Sequence, residues 1–357
     1  MFRSFLMVTT ALACLVPAGC GARSTTPVKY RIAVIPKGLT HEFWKSIERG
    51  ARRAAADLGE QGIAVEILWD GPRKESDAQD QIGIVQQMAA SRGIHGMVLA
   101  PQDSKAMVPV VKETVERKIP VVIIDSGLDD PSLIVKYVAT DNYNGGRMAA
   151  RHLLEVLNKA GKPAPKLVLF RYQPGSESTE QREQGFLDEV KEASAKLKKA
   201  GKPVPEIISD NVYSGATVDS AQAAAGPLLV RIKDEADGVF AVNESAATGL
   251  LNAMRSQNLN KKIRIVAFDS SEPLLQAVEE GDVEGTVVQD PYRMGYLGVW
   301  VLVRSLEGDD VTGGGKNLTT GEYLLTRDNL NTPETRERFD PTLQGRRTIK
   351  TPELKSK

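Results

Sequence analysis

The sequence contains very little cysteine and histidine. Of its 357 residues, only two are cysteine and three are histidine. Both cysteines, Cys14 and Cys20, lie in the first twenty residues, so the rest of the chain has no thiol for a disulfide or a cysteine-based metal site. The histidines, His41, His95 and His152, form neither a metal-ligand spacing nor a triad pattern. We therefore expect no metal and no cofactor.

The chain also lacks net charge and, beyond residue 20, long apolar runs. It has 46 basic and 46 acidic residues, and a nucleic-acid surface needs a basic excess to bind phosphate. No nucleic-acid partner is therefore expected. Hydrophobic residues make up 41% of the chain, which is typical of a soluble globular protein. After residue 20, no apolar stretch is long enough to cross a bilayer.

The first twenty residues, "MFRSFLMVTTALACLVPAGC", differ from the remainder. Arg3 precedes an apolar core from Phe5 to Val16, which predicts a signal peptide over residues 1–20. "PAGC" resembles the cleavage box of bacterial lipoproteins, so Cys20 is the predicted lipidation site. Pro17 stands where that box usually has leucine, which leaves plain secretion as the alternative. We expect an exported protein of the periplasm or cell envelope, anchored through Cys20, with a tether over residues 21–28.

Strands and helices are predicted to alternate along the rest of the chain. Apolar runs such as "RIAVIP", "GMVLAP", "GVFAVN" and "RIVAFDS" are separated by amphipathic helical segments. Such runs are typical of parallel strands buried on both faces, and this order predicts a doubly wound α/β fold. The predicted strands are too many for one sheet of ordinary size, and the alternation of strands and helices restarts near residue 141. Two similar α/β domains are therefore expected.

Polar and aromatic side chains follow the predicted strands. Open α/β sheets bind ligands at the carboxyl ends of their strands. Carboxylate, amide and guanidinium groups can pair with the hydroxyls of a sugar, and aromatic rings can pack on its C–H faces. The sequence therefore predicts a cleft for a sugar. The residues at these predicted strand ends are 36–44, 101–104, 125–126, 171–182, 213, 243–244, 269–270 and 289–290.

Seven segments in order carry a resemblance to a known family. They include "RIAVIPKGLTHEFWKSIERGARRAAADLG", "IPVVIIDSG", "VATDNYNGGRMAARHL", "STEQREQGF" and "RIVAFDSSEPLLQAVEEGDVEGTVVQDPYRMGYLGV". From about Tyr30 to about Leu330, the chain resembles the periplasmic sugar-binding proteins of the ribose-binding type, relatives of the lactose-repressor ligand domain. The resemblance implies two Rossmann-like doubly wound lobes joined by a three-strand hinge, which is the type I periplasmic binding protein fold. It also implies a monomer that binds a sugar between its lobes and docks on an ABC permease.

The resemblance predicts the extent of each lobe. We expect an N-terminal lobe from residues 29–139 and 290–320, and a C-terminal lobe from residues 140–289 and 321–335. Residues 336–357 form a polar tail without apolar periodicity, which either lies over the surface or is partly disordered. The sequence suggests no function for this tail.

The resemblance also implies the ligand contacts, with two departures. His41 stands where ribose binders have asparagine, and Ser126 follows Asp125 where they have arginine. Losing an arginine fork changes what a site recognises, so the ligand is left open between another monosaccharide, a polyol and a different small polar molecule. The implied contacts are Phe43, Trp44, Asp125, Arg182, Tyr213, Asn243, Asp269 and Gln289, with His41 and Ser126 at the departures.

Several candidates also have a structural interpretation. Phe43 and Trp44 could belong to the core, Asn243 and Asp269 could cap the helices that follow them, Arg182 could pair on the surface, and His41 could lie in an exposed turn.

Among functions, a sensor that presents its closed form to a chemoreceptor or histidine kinase is the main alternative to transport. A secreted glycoside hydrolase using Asp125 and Asp269 is a further alternative, although we expect a binding protein and no enzyme.

Overall fold

The computed structural model describes residues 27–311, 313, 315–339, 341–345 and 347–352. Within these residues, strands and helices alternate as expected. The elements in chain order are β1 (Tyr30–Ile35), α1 (Glu42–Glu60), β2 (Val65–Trp69), α2 (Ala78–Ala90), β3 (Gly96–Leu99), α3 (Val108–Glu116), β4 (Val121–Ile124), β5 (Lys136–Ala139), α4 (Asn142–Lys159), β6 (Lys166–Arg171), α5 (Glu177–Lys199), β7 (Glu206–Tyr213), α6 (Val218–Ile232), β8 (Gly238–Ala241), α7 (Glu244–Ser256), β9 (Arg264–Phe268), α8 (Glu272–Glu280), β10 (Gly285–Gln289), α9 (Pro291–Leu306), β11 (Asn317–Thr319), β12 (Glu322–Leu325), α10 (Pro333–Phe339) and α11 (Pro341–Gln344).

These strands form two six-stranded sheets with the same topology. The first sheet has the order β2-β1-β3-β4-β5-β11 and all its strands are parallel. The second has the order β7-β6-β8-β9-β10-β12, and only its edge strand β12 is antiparallel to its neighbour. We call the first sheet with its helices the N-lobe and the second the C-lobe. The predicted two-lobed, doubly wound α/β fold is confirmed.

Both sheets are covered on two faces, as their apolar strands predict. In β1, Ile32 and Val34 point into one apolar cluster, whereas Ala33 and Ile35 point into another. The C-lobe has the same arrangement, with separate clusters on the two sides of β6 and β8. Burial on both faces explains why these strands read as continuous hydrophobic runs without alternation.

The chain passes between the lobes three times within these elements. It crosses at Thr140 and Asp141 between β5 and α4, at Asp290 between β10 and α9, and at Thr320 and Gly321 between β11 and β12. The second crossing returns α9 to the N-lobe, where it packs against α1. The cleft therefore lies between two rigid sheets connected by short segments.

The segment "DNYNGG" opens α4 and fits it closely against α5. Asp141 caps the helix by accepting a hydrogen bond from the backbone N–H of Asn144 at 2.9 Å. A Cβ atom at Gly146 would lie 2.0 Å from the carbonyl oxygen of Arg182. Only glycine allows this approach of the two backbones, so Gly146 sets the position of the α5 turn that carries Arg182.

Several predicted features lie at the ends of the chain. The signal peptide, Cys20 and residues 21–26 of the tether are outside the described residues. The polar tail contains the end of α10 and all of α11, and its described part packs against both lobes. Among the described residues, no helix is both long and apolar enough to cross a membrane.

Candidate functional site

A cavity lies between the lobes at the carboxyl ends of their strands, where open α/β sheets bind ligands. It encloses about 420 Å³ of empty space, part of it open to solvent. Both lobes contribute to its wall, and eight of the ten candidate contacts line it. The wall residues are Lys37, His41, Phe43, Trp44, Glu75, Asp125, Tyr172, Ser176, Ser178, Thr179, Arg182, Asn243, Glu244, Asp269 and Gln289.

Two aspartates occupy equivalent places in the two lobes. Asp125 follows β4 of the N-lobe and Asp269 follows β9 of the C-lobe. Both have left-handed backbone conformations, with φ of 64° and 72°. Such conformations are uncommon outside glycine, although aspartate tolerates them better than most residues. This local geometry turns each carboxylate into the cavity directly from a buried strand.

Asp125 is paired with a buried lysine. The Nζ atom of Lys37 lies 3.1 Å from Oδ2 of Asp125, and both side chains are only 6% exposed. The same ammonium donates to the hydroxyls of Ser176 and Ser178, each at 3.2 Å, from the other lobe. Lys37 therefore supplies a cation beside Asp125, where Ser126 supplies none.

Asp269 is held by groups of the C-lobe. It accepts hydrogen bonds from Nε2 of Gln289 at 2.5 Å and from the backbone N–H of Glu244 at 3.2 Å. Nη1 of Arg182 lies 3.6 Å from its Oδ2. Burial raises the pKa of Asp269, against the opposing effects of Arg182 and Gln289. Asp269 does not cap α8, which follows it, so that interpretation is wrong.

Arg182 is buried, not a surface partner. Its side chain is 3% exposed, and it donates to Oδ1 of Asn142 at 2.9 Å and to the carbonyl oxygen of Val242 at 3.0 Å. Its guanidinium carbon lies 3.7 Å from the centre of the Phe268 ring, a distance typical of a cation–π contact. These contacts fix the guanidinium plane at the edge of the cavity.

An aromatic wall comes from α1 and β6. Phe43 and Trp44 meet edge to face, with ring centres 4.9 Å apart. Trp44 is 2% exposed and also belongs to the N-lobe core, so it serves both as core and as wall. Its Nε1 donates to Glu75 at 2.7 Å, and the Tyr172 hydroxyl donates to the other oxygen of Glu75 at 2.8 Å. Glu75 thereby joins the two lobes.

His41 forms a second polar contact between the lobes. Its Nδ1 lies 2.8 Å from a carboxylate oxygen of Glu244 and 4.0 Å from one of Glu75. The hydrogen bond to Glu244 is the main cause that raises the pKa of His41 to about 9, while burial acts in the opposite direction. His41 is therefore a cation at neutral pH in this structure, not an isolated turn residue.

Three candidates need separate comment. Tyr213 is predicted as an aromatic contact, but it is 45% exposed and does not line the cavity; Tyr172 supplies the C-lobe ring instead. Ser126 is buried outside the cavity wall, and its hydroxyl accepts from the backbone N–H of Ser178 at 3.1 Å. Asn243 lines the cavity and also caps α7, accepting from Ala246 at 3.2 Å, so its two interpretations coexist.

Seven cavity residues, all with ionisable or hydroxyl side chains, are not among the predicted contacts. Six of them lie within the predicted strand-end segments: Lys37, for example, is two residues after β1, and Tyr172 directly follows β6. Glu244 is adjacent to a candidate. Glu75 lies in the loop before α2, and its position depends on how that loop folds back over the cleft. The seven residues are Lys37, Glu75, Tyr172, Ser176, Ser178, Thr179 and Glu244.

The lobes are closed on each other in this structure. Besides the contacts of Lys37, His41 and Glu75, the backbone N–H of Gly127 donates to Glu177 at 2.8 Å, and that of Ser104 donates to the carbonyl oxygen of Gly175 at 3.0 Å. Each of these bonds joins the N-lobe to the C-lobe. No group of three or more His, Cys, Asp or Glu within the described part of the chain is placed to hold a metal ion.

The sequence profile of the periplasmic binding protein domain family matches residues 32–310. The chain therefore belongs to this family, whose members are binding proteins. A relative from Pseudomonas aeruginosa, the D-ribose/D-allose-binding protein, is 29% identical over 309 residues, which cover 85% of this chain and 90% of the relative. The resemblance to the ribose-binding type is confirmed.

Solved structures of solute-binding proteins are also similar to this chain. A carbohydrate transporter solute-binding protein from Agrobacterium radiobacter, in complex with D-arabinose, is 31% identical with a TM-score of 0.76, and the match covers 87% of this chain and 98% of that protein. An ABC transporter solute-binding protein from Agrobacterium vitis with bound D-fucose is 31% identical with a TM-score of 0.75, covering 86% and 99%.

Proposed function

We propose that this protein captures a sugar in the cavity between its lobes and delivers it to an ABC-type importer. One observation carries the proposal: both lobes supply fixed hydrogen-bonding groups and aromatic rings to one cavity between them. The sugars bound by its relatives, D-ribose or D-allose, D-arabinose and D-fucose, support this ligand class. All of them are neutral, compact polyhydroxylated rings.

The chemistry of the wall suits such a ring. Asp125 and Asp269 are fixed acceptors for hydroxyl protons, whereas Lys37 and Arg182 donate to hydroxyl oxygens. Phe43 and the other rings of the wall can cover the C–H faces. Because each of the four charged groups already has a protein partner, a bound hydroxyl would enter a preorganised set of donors and acceptors.

Capture depends on the movement of the lobes. A sugar that contacts both lobes binds the closed state better than the open one, so it shifts the equilibrium towards closure by that difference in affinity. The pairs formed by Lys37 with Ser176 and by His41 with Glu244 are made only when the cleft closes. The closed form would then be the state that a permease recognises.

We propose binding without turnover. Asp125 is paired with Lys37, and Asp269 is held by Gln289 and a backbone N–H. Both carboxylates are thus placed to accept hydrogen bonds from hydroxyls, and the family to which the chain belongs consists of binding proteins. Incubation with saccharides should therefore give complexes and no products.

The predicted location completes this proposal. Export through residues 1–20 and a lipid on Cys20 would keep the protein at the cell envelope, next to its permease, and the protein would act there as a monomer. A Cys20→Ala variant should be released from the membrane fraction. Retention of that variant in the membrane fraction would overturn the lipid anchor and leave the ligand proposal untouched.

Calorimetric titration of residues 21–357 tests the ligand proposal. The panel contains D-ribose, D-allose, D-arabinose, D-fucose, polyols and non-sugar polar metabolites. We expect saturable binding of at least one sugar with one site per chain. Asp125→Ala and Asp269→Ala should each weaken it by at least about tenfold, since each removes a charged hydrogen-bond acceptor.

An exposed aspartate provides the matched control. Asp234 lies on the surface after α6, and Asp234→Ala should bind the same sugar as the unmodified protein does. Binding of a non-carbohydrate alone would overturn the sugar class. A sugar whose affinity is unchanged in both cavity variants would overturn the site.

A further inference from the structure

The C-terminal segment crosses the mouth of the cleft from one lobe to the other. On the C-lobe side, Phe339 of α10 packs against the Tyr323 ring at 5.8 Å between centres, and Arg338 lies 3.9 Å over the same ring. On the N-lobe side, Gln344 of α11 is 4% exposed and accepts a hydrogen bond from Ser46 of α1 at 2.9 Å. The segment is therefore a fourth connection between the lobes, in addition to the three crossings.

The segment is fastened beside the second crossing. Arg347 makes two hydrogen bonds to the carboxylate of Asp290, at 3.1 and 2.6 Å. Asp290 is 1% exposed and lies between β10 and α9. Arg53 of α1 also donates to the carbonyl oxygen of Gly345 at 2.7 Å. A bidentate pair with a buried carboxylate gives the segment a defined position.

This position encloses a second cavity next to the first. It has about 460 Å³ of empty space, part of it open to solvent, and Phe43, Asp269 and Gln289 line both cavities. The tail contributes Phe339 and Gln344 to its wall. The second cavity is thus bounded on one side by the proposed sugar site and on another by the C-terminal segment.

The wall of the second cavity has hydrogen-bonding capacity that the protein leaves unused. Gln289 is only 3% exposed, and its Oε1 has no hydrogen-bond partner among the described residues. The Nε atom of Arg49, on the same wall, is likewise buried and unpartnered within the described part of the chain. Buried polar groups are rarely left without partners, so an acceptor and a donor here point to a ligand.

We propose that the second cavity is a further subsite, built by the C-terminal segment, for a second sugar ring or another uncharged substituent on the sugar. The proposal rests on the sugar-binding function proposed above. Phe43 and Phe339 provide apolar surface for ring faces, while Gln289, Ser46 and Arg49 provide acceptors and donors for hydroxyls. The ligand of this protein is then a glycoside or a disaccharide in preference to the free monosaccharide.

Charge supports an uncharged substituent. Among the described residues, the wall of the second cavity has one basic side chain, Arg49, and two acidic ones, Glu42 and Asp269. A carboxylate or phosphate entering the cavity would meet these two acidic side chains, whereas a hydroxyl can both donate and accept. The subsite therefore selects for length and hydroxyl groups, not for charge.

Paired titrations test the proposal. Each monosaccharide that binds is compared with its 4-nitrophenyl α- and β-glycosides and with disaccharides that contain it as the reducing or non-reducing unit. We expect at least one extended ligand to bind more tightly than its parent monosaccharide. Phe339→Ala should weaken that ligand by about 3- to 10-fold, the range for loss of an aromatic contact, and change the monosaccharide by no more than about twofold.

A second variant protects the test against a folding defect. Ser270 lines the second cavity and not the first, so Ser270→Tyr should fill the subsite, exclude the extended ligand and keep the monosaccharide. If monosaccharides bind and every extended ligand is weaker, the subsite is overturned while the proposed function stands. If Phe339→Ala affects both ligand lengths equally, the subsite is also overturned. If no saccharide of either length binds, the proposed function fails and the subsite fails with it.

Discussion

Charged side chains of the N-lobe make polar contacts across the cleft. Lys37, His41 and Glu75 each reach from the N-lobe to a polar group of the C-lobe. These contacts require closure, so they contribute to the stability of the closed state and are lost when the lobes separate. Changes at these positions should therefore alter affinity as well as folding stability.

The His41–Glu244 pair makes closure depend on pH. The pKa of His41 is raised to about 9 in the closed structure, against an ordinary value near 6.5. A group whose pKa is raised on closure stabilises the closed state fully below the ordinary value, and this contribution is lost as pH rises through about 9. We expect sugar affinity to fall between pH 7 and pH 10 in calorimetric titrations.

His41→Gln provides the control for this prediction, because other groups also titrate near pH 10. Glutamine can still donate a hydrogen bond to Glu244 but cannot gain a proton. The variant should show a flatter pH profile than the unmodified protein. Identical profiles for the two proteins would contradict the assignment of the pH dependence to His41.

Lys37→Met should destabilise the protein by about 3 kcal/mol, because Asp125 would remain buried without its cation. Urea unfolding monitored by tryptophan fluorescence measures this change. The double variant Lys37→Met/Asp125→Asn removes the unpaired charge and should recover part of the loss. A single variant as stable as the unmodified protein would contradict the buried pair.

Close helix contacts hold the cleft residues in register. The α4–α5 interface depends on Gly146, whose backbone approaches the carbonyl of Arg182. Movement of that turn would displace the guanidinium from Asp269. Helix packing and the binding site are therefore coupled through one short stretch of backbone.

Gly146→Ala should cost about 1–3 kcal/mol, the usual range for overpacking, and should weaken sugar binding. Thermal unfolding and calorimetry measure the two effects. Gly83→Ala is the matched control: Gly83 also lies within a helix, and a Cβ there meets nothing within 4 Å. Alanine at that position should be neutral or stabilising by about 0.5–1 kcal/mol. Equal effects of the two substitutions would contradict the close contact.

The tail depends on the Arg347–Asp290 pair for its position. Arg347→Met leaves the carboxylate of Asp290 buried without a cation, so we expect a loss of about 3 kcal/mol in unfolding free energy. Arg347→Lys retains the charge but not the two-pronged geometry. Its free energy of unfolding should therefore lie between those of Arg347→Met and the unmodified protein. If Arg347→Met has unchanged stability, the tail is not fastened as described.

Sequence patterns predict the fold of this chain more completely than its site. Continuous apolar strands, and a strand–helix alternation that restarts near residue 141, are sufficient to predict two doubly wound lobes. Burial of a strand on both faces requires a continuous hydrophobic run, which is visible in the sequence. The strand-end rule also leads to Asp125, Asp269 and their neighbours. It misleads at Tyr213, where the end of β7 projects an exposed ring.

Contacts that depend on the closed arrangement of the lobes leave no such pattern. Glu75 is a single carboxylate in a loop, and only the folded loop brings it to Trp44 and Tyr172. The tail lacks apolar periodicity because a few residues, Phe339, Gln344 and Arg347, make its contacts one at a time. Contacts between single residues that are far apart in the sequence produce no hydrophobic periodicity, so sequence patterns do not reveal them.

The two lobes, their crossings and the tail together form a protein whose function depends on opening and closing. The closed state is held by polar pairs across the cleft, including those made by Lys37, His41 and Glu75. Such a state can be favoured by a ligand that adds contacts to both lobes. Sugar-dependent closure is the central claim of this account.

The most direct test is the distance between the lobes with and without sugar. Lys105 of the N-lobe and Gln184 of the C-lobe are exposed, and the chain from Gly21 onward has no cysteine, so Lys105→Cys/Gln184→Cys can carry two spin labels for pulsed electron paramagnetic resonance. We predict a broad distribution with a long-distance population in the free protein, and a single short distance at saturating sugar. A sugar that binds by calorimetry yet leaves this distribution unchanged would contradict capture by closure.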